Sequence, residues 1–176
     1  MSDPIVIVSA ARTPIGGMLG DFSTLSAVQL GSVAIKAAVE RAGIKGEEIG
    51  EVLFGNCLMA GLGQAPARQA LLGAGLPQSV GAVTLSKMCG SGLKAVMLAA
   101  DLLAAQTYDI MLAGGMESMT NAPHLMMGSR KGYRYGEFSV YDHMGIDGLE
   151  DDYDKGRPMG YFAENCSAKY NFSREE

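Results

Sequence analysis

Residues 85–106 read LSKMCGSGLKAVMLAADLLAAQ, and the organisation of the chain follows from this stretch. It opens on the end of a β-branched apolar run, turns through Cys89-Gly90-Ser91-Gly92, and continues to Gln106 with only Lys94 and Asp101 charged. Leu93, Val96, Met97, Leu98, Leu102 and Leu103 spread around most of a helical circumference. That pattern predicts a helix over Ser91–Gln106 that is buried on more than one side. Small residues between strand and helix suit a tight turn that presents a side chain into a cavity. The first N–H groups of such a helix lack intrahelical partners and carry the positive end of its dipole. A thiolate is stabilised there, and the same N–H groups, with that of Cys89, can hold an oxyanion. Cys89 is therefore a candidate nucleophile, in a layout like the strand-to-helix elbow of serine hydrolases. A structural thiol is the other reading of a lone cysteine.

Outward from this stretch the elements alternate. Ile5–Ser9 (IVIVS) predicts a buried strand. A helix capped by Ser23 or Thr24 runs to Arg41, with Gly43 as its left-handed stop. Glu51–Asn56 predicts a second strand. The glycine-rich AGLGQAP leads to a short helix near Ala67–Leu72. Strands are predicted at Ala82–Lys87 and Asp109–Ala113. The expected fold class is α/β, a βαβαβαβ layered half with a mostly parallel sheet on a buried helix. After Met116 the periodicity fades and charges cluster, so residues 116–157 read as an inserted loop excursion. A last helix is expected over Gly160–Asn171. The expected division is an α/β domain over residues 1–118 and the excursion over residues 119–176.

The chain of 176 residues carries a net charge of −5 and no basic stripe, which argues against nucleic-acid binding. No apolar run reaches the length of a membrane span. The N-terminal MSDPIVIVSAARTP matches neither a secretory leader nor an Arg-rich transit sequence, so the cytoplasm is the expected location. Three cysteines, Cys57, Cys89 and Cys166, form neither a disulfide framework nor a zinc signature, and no metal site is expected.

Five segments in order resemble the N-terminal half of the thiolase family, the acetyl-CoA acetyltransferases and 3-ketoacyl-CoA thiolases. They are VIVSAARTPIGG (6–17), GLGQAPARQA (61–70), MCGSGLKAVMLA (88–99), AGGMESMTNAPH (113–124) and MGYFAENCSAKYNFSREE (159–176). The resemblance covers nearly the whole chain. It departs from the family at Ser86, where an Asn is common, and at Pro158, where a His often precedes the residue matching Met159.

The resemblance implies that Cys89 is acylated by an acyl-CoA and that a second acetyl-CoA then attacks the acyl group, or the reverse, thiolysis. Coenzyme A thioesters are the implied substrates, with no permanently bound cofactor. Leu149 and Met159 are implied to line the pantetheine channel. Gln64, Arg68 and Gln69 are implied to lie near a neighbouring subunit and the catalytic loop, in a homodimer or homotetramer; a helix N-terminal turn with an exposed Arg is the other reading. Arg130, Lys131, Arg134, Lys155 and Arg157 are the cations available for the coenzyme's phosphates, or else form a solvated face that balances Glu150, Asp151, Asp152 and Asp154. Glu117 can orient the catalytic loop by accepting backbone N–H bonds, or equally be a capped turn carboxylate. The family's catalytic His, second Cys and Asn lie in its C-terminal half, and neither His124 nor His143 falls in the catalytic-His motif. The C-terminal half is thus an expected partner, and the isolated chain is expected to be inactive.

Three other readings compete. A cysteine acyl-enzyme hydrolase would need His and Asp on later strands. A dinucleotide-binding module would need GxGxxG directly after the first strand, and ARTPIGG does not fit. A truncated, non-catalytic thiolase-like partner is the third.

Overall fold

The computed structural model describes residues 4–175. They fall into two compact units, one ending at Asn121 and the other beginning at Ala122.

The first unit is built around three parallel strands, β1 (Glu51–Gly55), β2 (Gly81–Leu85) and β3 (Met111–Gly115), in the order β2-β1-β3. In register, Gly55 pairs with Leu85 on one side and with Gly115 on the other, so the three carboxyl ends lie level. Helices α1 (Ala27–Ala42) and α2 (Pro66–Gly73) pack on one another and α3 (Ser91–Ala104) packs on β1 and β3. The alternation of β1 assigns the faces. Val52 and Phe54 join Ala27, Ile35, Ala67, Ala70 and Leu71 in the main core, while Leu53 meets Ala95 and Ala99 of α3. Both faces of the central strand are thereby covered, which suits its run of apolar residues. Each fully buried side chain of this size contributes roughly 1.5–3 kcal/mol.

The cap of α1 is Ser26, not Ser23 or Thr24. Its hydroxyl accepts from the Gln29 amide (3.2 Å), and the Gln29 side chain accepts from the Ser26 amide (2.9 Å). This reciprocal pair is the capping box, and SAVQ carried its signature. Gly43 ends the helix in the left-handed conformation with φ 67°.

Two expectations are corrected here. Ile5–Ser9 is not a strand, and Ile5, Val6, Ile7 and Val8 are 49–82% exposed. The segment forms one wall of a cavity of about 590 Å³ whose other walls are α1, α3 and β3. A strand needs a neighbour about 4.8 Å away to complete its ladder, and the cavity stands where β3 would provide it. Arg41 donates to the Ala10 carbonyl (2.9 Å), and the Ser9 hydroxyl is buried without a partner among the described residues. The helix α3 is likewise less enclosed than its composition predicts. Ala95, Ala99 and Ser91 are buried, but Leu93 is 69% and Met97 52% exposed. Only one sheet face is offered to it among the described residues of its unit.

The second unit contains a two-stranded antiparallel ladder of β4 (His124–Leu125) and β5 (Tyr141–Asp142). A π-helical turn covers Gly145–Leu149, and α4 covers Met159–Tyr170 and ends at Asn171 in the left-handed region (φ 57°). No helix of the described residues is long and apolar enough to cross a membrane.

Candidate active site

Cys89 lies in the turn between β2 and α3, two residues before the first residue of the helix, and is exposed. Glycine explains how close that turn sits to the sheet. A Cβ on Gly55 would stand 2.7 Å from the Ser91 Cβ and 2.9 Å from the Gly92 amide. The end of β1 therefore touches the first turn of α3, which a side chain would forbid. In parallel α/β sheets the carboxyl ends of the strands are where ligands bind, and Cys89 is placed at that edge.

Met88, immediately before Cys89, has φ 48°. This left-handed conformation costs a non-glycine residue roughly 1–2 kcal/mol. Hydrogen bonds hold it. The Met88 carbonyl accepts from the Ser91 amide (3.0 Å), the Ser91 hydroxyl (2.6 Å) and the Cys57 thiol (3.0 Å). The Ser91 hydroxyl also accepts from the Lys87 amide (2.8 Å), and the Gly90 amide donates to the Lys87 carbonyl (3.1 Å).

Behind this turn lies a second one, Asn56-Cys57-Leu58, which continues β1. Glu117, two residues after β3, closes it. One carboxylate oxygen accepts from the Asn56 side chain (2.6 Å) and the Leu58 amide (3.1 Å), and the other from the Cys57 amide (2.8 Å). The Asn56 side chain also donates to the Met116 carbonyl (3.2 Å), while its own oxygen is buried without a partner among the described residues. Burial pushes the Cys57 thiol above its usual range. The Ser91 hydrogen bond opposes that rise, and the charge of Glu117 adds to it. Glu117 thus serves a turn other than the one that holds Cys89. Its carboxylate accepts backbone N–H bonds, but from the turn after β1, which in turn meets the Cys89 turn through Cys57. Asn56, Cys57 and Ser91 were not singled out from the sequence. The Ser in CGSG was legible only as a small turn residue.

The 61–70 segment is committed to its own chain. Arg68 donates to the carbonyls of Val80 and Gln78, and Gln69 donates to those of Leu62 (2.8 Å) and Gln64 (2.7 Å). These bonds close the glycine-rich loop and tie α2 to the entry of β2. Gln64 is exposed.

In the second unit, an isolated antiparallel bridge joins Glu150 to Pro158. Leu149 and Met159 flank that bridge in sequence, at the end of the π-helical turn and the start of α4, and are 40% and 39% exposed. Within the loop Lys155 pairs with Asp152 (2.7 Å) and Arg157 with Asp154 (2.5 Å). Arg157 also lies 4.3 Å from the centre of the Tyr161 ring. Arg130 and Lys131 share the short turn Ser129–Lys131. His143 is buried against Asp147 (2.7 Å) and His124 lies in β4. The described residues hold no cluster of three or more His, Cys, Asp or Glu suited to a metal.

The family model described as the N-terminal domain of thiolase matches residues 5–176. The chain belongs to this thiolase family. It is 54% identical over 172 residues to a cytosolic acetyl-CoA acetyltransferase of Gibberella zeae, covering 98% of this chain and 43% of that protein. An acetyl-CoA acetyltransferase of Cupriavidus necator is 52% identical over 97% of this chain and 43% of its own length. A mitochondrial acetyl-CoA acetyltransferase of Xenopus tropicalis is 54% identical over 98% of this chain and 40% of its own. A thiolase of Ascaris suum, solved in complex with coenzyme A, superposes with a TM-score of 0.89 at 38% identity, over 96% of this chain and 44% of that one. The fold is therefore the thiolase-like α/β fold. This thiolase chain spans less than half the length of these curated relatives.

Proposed function

We propose that this thiolase chain carries the nucleophile of an acyl-CoA acyltransferase, with Cys89 as the acyl-accepting thiol. The observation that carries the reading is the position of Cys89. It is an exposed thiol on a strained strand-to-helix turn at the carboxyl ends of parallel strands. Its sulfur attacks the thioester carbonyl of an acyl-CoA. The bond to the coenzyme's sulfur breaks, and coenzyme A leaves with the thiol proton. The Cys89 amide is the donor assigned to the transient oxyanion, since the Gly90 and Ser91 amides already donate to the Lys87 and Met88 carbonyls. A second acetyl-CoA, having lost an α-proton to a base, attacks the acyl carbonyl; the bond from that carbon to the Cys89 sulfur breaks, which frees the 3-ketoacyl-CoA and a thiolate that regains a proton from the base. The reverse sequence is thiolysis. Covalent catalysis divides one hard transfer into two easier ones.

The base and the second thiol are assigned to the C-terminal half of the family, with which the chain works as a homodimer or homotetramer. Leu149 and Met159, which flank the Glu150–Pro158 bridge in sequence, are assigned to the pantetheine arm. Arg130, Lys131 and Arg134 are the freer cations for the phosphates, since Lys155 and Arg157 face their own carboxylates. Gln64 is assigned to the subunit neighbour. The cytoplasm is the compartment we assign, which the relative from Gibberella shares by name and the one from Xenopus does not.

The test is a condensation and thiolysis assay on the chain alone, on the chain assembled with the C-terminal half, and on the assembled Cys89→Ala variant. Turnover is expected only in the second. Turnover by the chain alone at the assembled rate, or turnover that survives Cys89→Ala, contradicts the proposal.

A further inference from the structure

We infer that Ser91 is a positioning residue for Cys89. Its hydroxyl clasps the left-handed peptide before the nucleophile, and Cys57 braces that clasp from behind. The inference rests on the reading of Cys89 as the acyl acceptor.

Ser91 is 4% exposed, while Lys87, Met88 and Cys89 around it are exposed. It is therefore shielded from any substrate and acts only through the turn. Its hydroxyl accepts from the amide of Lys87 (2.8 Å) and donates to the carbonyl of Met88 (2.6 Å). One oxygen thus spans Met88 from its preceding residue to its own carbonyl. Only a group that both donates and accepts does this. The space allows little more, because β1 approaches so closely that a Cβ on Gly55 would overlap the Ser91 Cβ at 2.7 Å.

Cys57 supplies the second support. Its thiol donates to the same Met88 carbonyl (3.0 Å) and lies 3.6 Å from the Ser91 hydroxyl. It is fixed in turn by its own amide, which donates to Glu117 (2.8 Å). Without these side-chain donors only the backbone bonds from the Gly90 and Ser91 amides remain to hold φ 48° on a methionine. The Met88–Cys89 peptide would then relax toward right-handed geometry and swing the thiol off its line of attack. Misplacement by about 1 Å typically costs on the order of a hundredfold in rate.

The experiment measures single-turnover acetylation by acetyl-CoA in the chain assembled with the C-terminal half, at saturating and subsaturating substrate. Ser91→Ala is expected to slow the saturated rate about 10- to 100-fold, with the half-saturating concentration changed less than about threefold. Adding Met88→Gly to Ser91→Ala is expected to recover a large part of the rate, because glycine adopts positive φ without strain. A purely structural role for Ser91 would not be rescued in this way. Cys57→Val removes the second donor and should give a smaller loss, which Cys57→Ser recovers. This pair also keeps the inference testable if Ser91→Ala fails to fold. Wild-type rates in both Ser91→Ala and Cys57→Val overturn the inference, as does a folded Ser91→Ala that Met88→Gly does not rescue. Acetylation that persists in Cys89→Ala would instead overturn the underlying assignment of the nucleophile.

Discussion

Two turns leave neighbouring strands at the same edge of the sheet and are built in opposite ways. The turn after β1, Asn56-Cys57-Leu58, buries Asn56 and Leu58 and has both backbone amides of Cys57 and Leu58 bound by the Glu117 carboxylate. The turn after β2, Ser86–Gly90, is mostly exposed and contains a methionine at φ 48°. One is a fixed, polar-lined support and the other is a strained presenter of a thiol. They meet at the Met88 carbonyl, where Cys57 and Ser91 donate together. The contrast teaches that an exposed nucleophile is held by buried neighbours, and that strain at a site persists where its surroundings over-determine it.

The largest break in this arrangement is expected from Gly55→Ala. The new methyl would fall 2.7 Å from the Ser91 Cβ and 2.8 Å from the Ser91 carbonyl carbon, so α3 must move away from β1. We expect a loss of about 3 kcal/mol of stability, read from urea denaturation. Glu117→Ala comes next. It strips acceptors from two backbone amides and the Asn56 side chain, and about 2 kcal/mol should be lost by the same measurement. Neither variant alters Cys89, so a wild-type denaturation midpoint in either would remove the idea of a rigid support.

The smallest effect concerns the thiol of the support. Because burial raises the Cys57 pKa, the fold favours its protonated form. That contribution is complete below the ordinary thiol value of 9.0 and is lost as pH rises through the higher folded value. Wild-type protein should therefore lose more stability than Cys57→Ser between about pH 8.5 and pH 10. At pH 8 iodoacetamide should modify the exposed Cys89 and Cys166 before Cys57, by peptide mass mapping. Alkylation of Cys57 first would show that the turn after β1 is open.

Much of this could be read in the sequence, for identifiable reasons. The strand–turn–helix around Cys89 was legible because β-branched residues, small turn residues and an apolar helix follow one another without interruption. The four elements Glu51–Gly55, Pro66–Gly73, Gly81–Leu85 and Ser91–Ala104 lie where their patterns predict. Ile5–Ser9 misled because β-branched composition reports the fitness of a segment for a sheet, and supplies no neighbour to pair with. The helix α3 misled in the same way, since an apolar circumference reports what could be covered rather than what is. The Ser91 clasp spans only three and four residues, but a serine in a small-residue turn carries no signal of it, and the supports from Cys57 and Glu117 are long-range. Cys57 and Glu117 meet each other and the Met88–Ser91 turn only through the crossover of the sheet, and local sequence carries no register between them.

The most direct measurement of the central claim is peptide mass mapping after a brief exposure of the assembled chain to acetyl-CoA. One acetyl group, an addition of about 42 Da at a nucleophilic thiol, is expected on the peptide that holds Cys89. It should be absent from those that hold Cys57 and Cys166 and lost in Cys89→Ala. Acetyl label on Cys57 or Cys166 with Cys89 unmodified, in an assembly that turns over, would contradict the account.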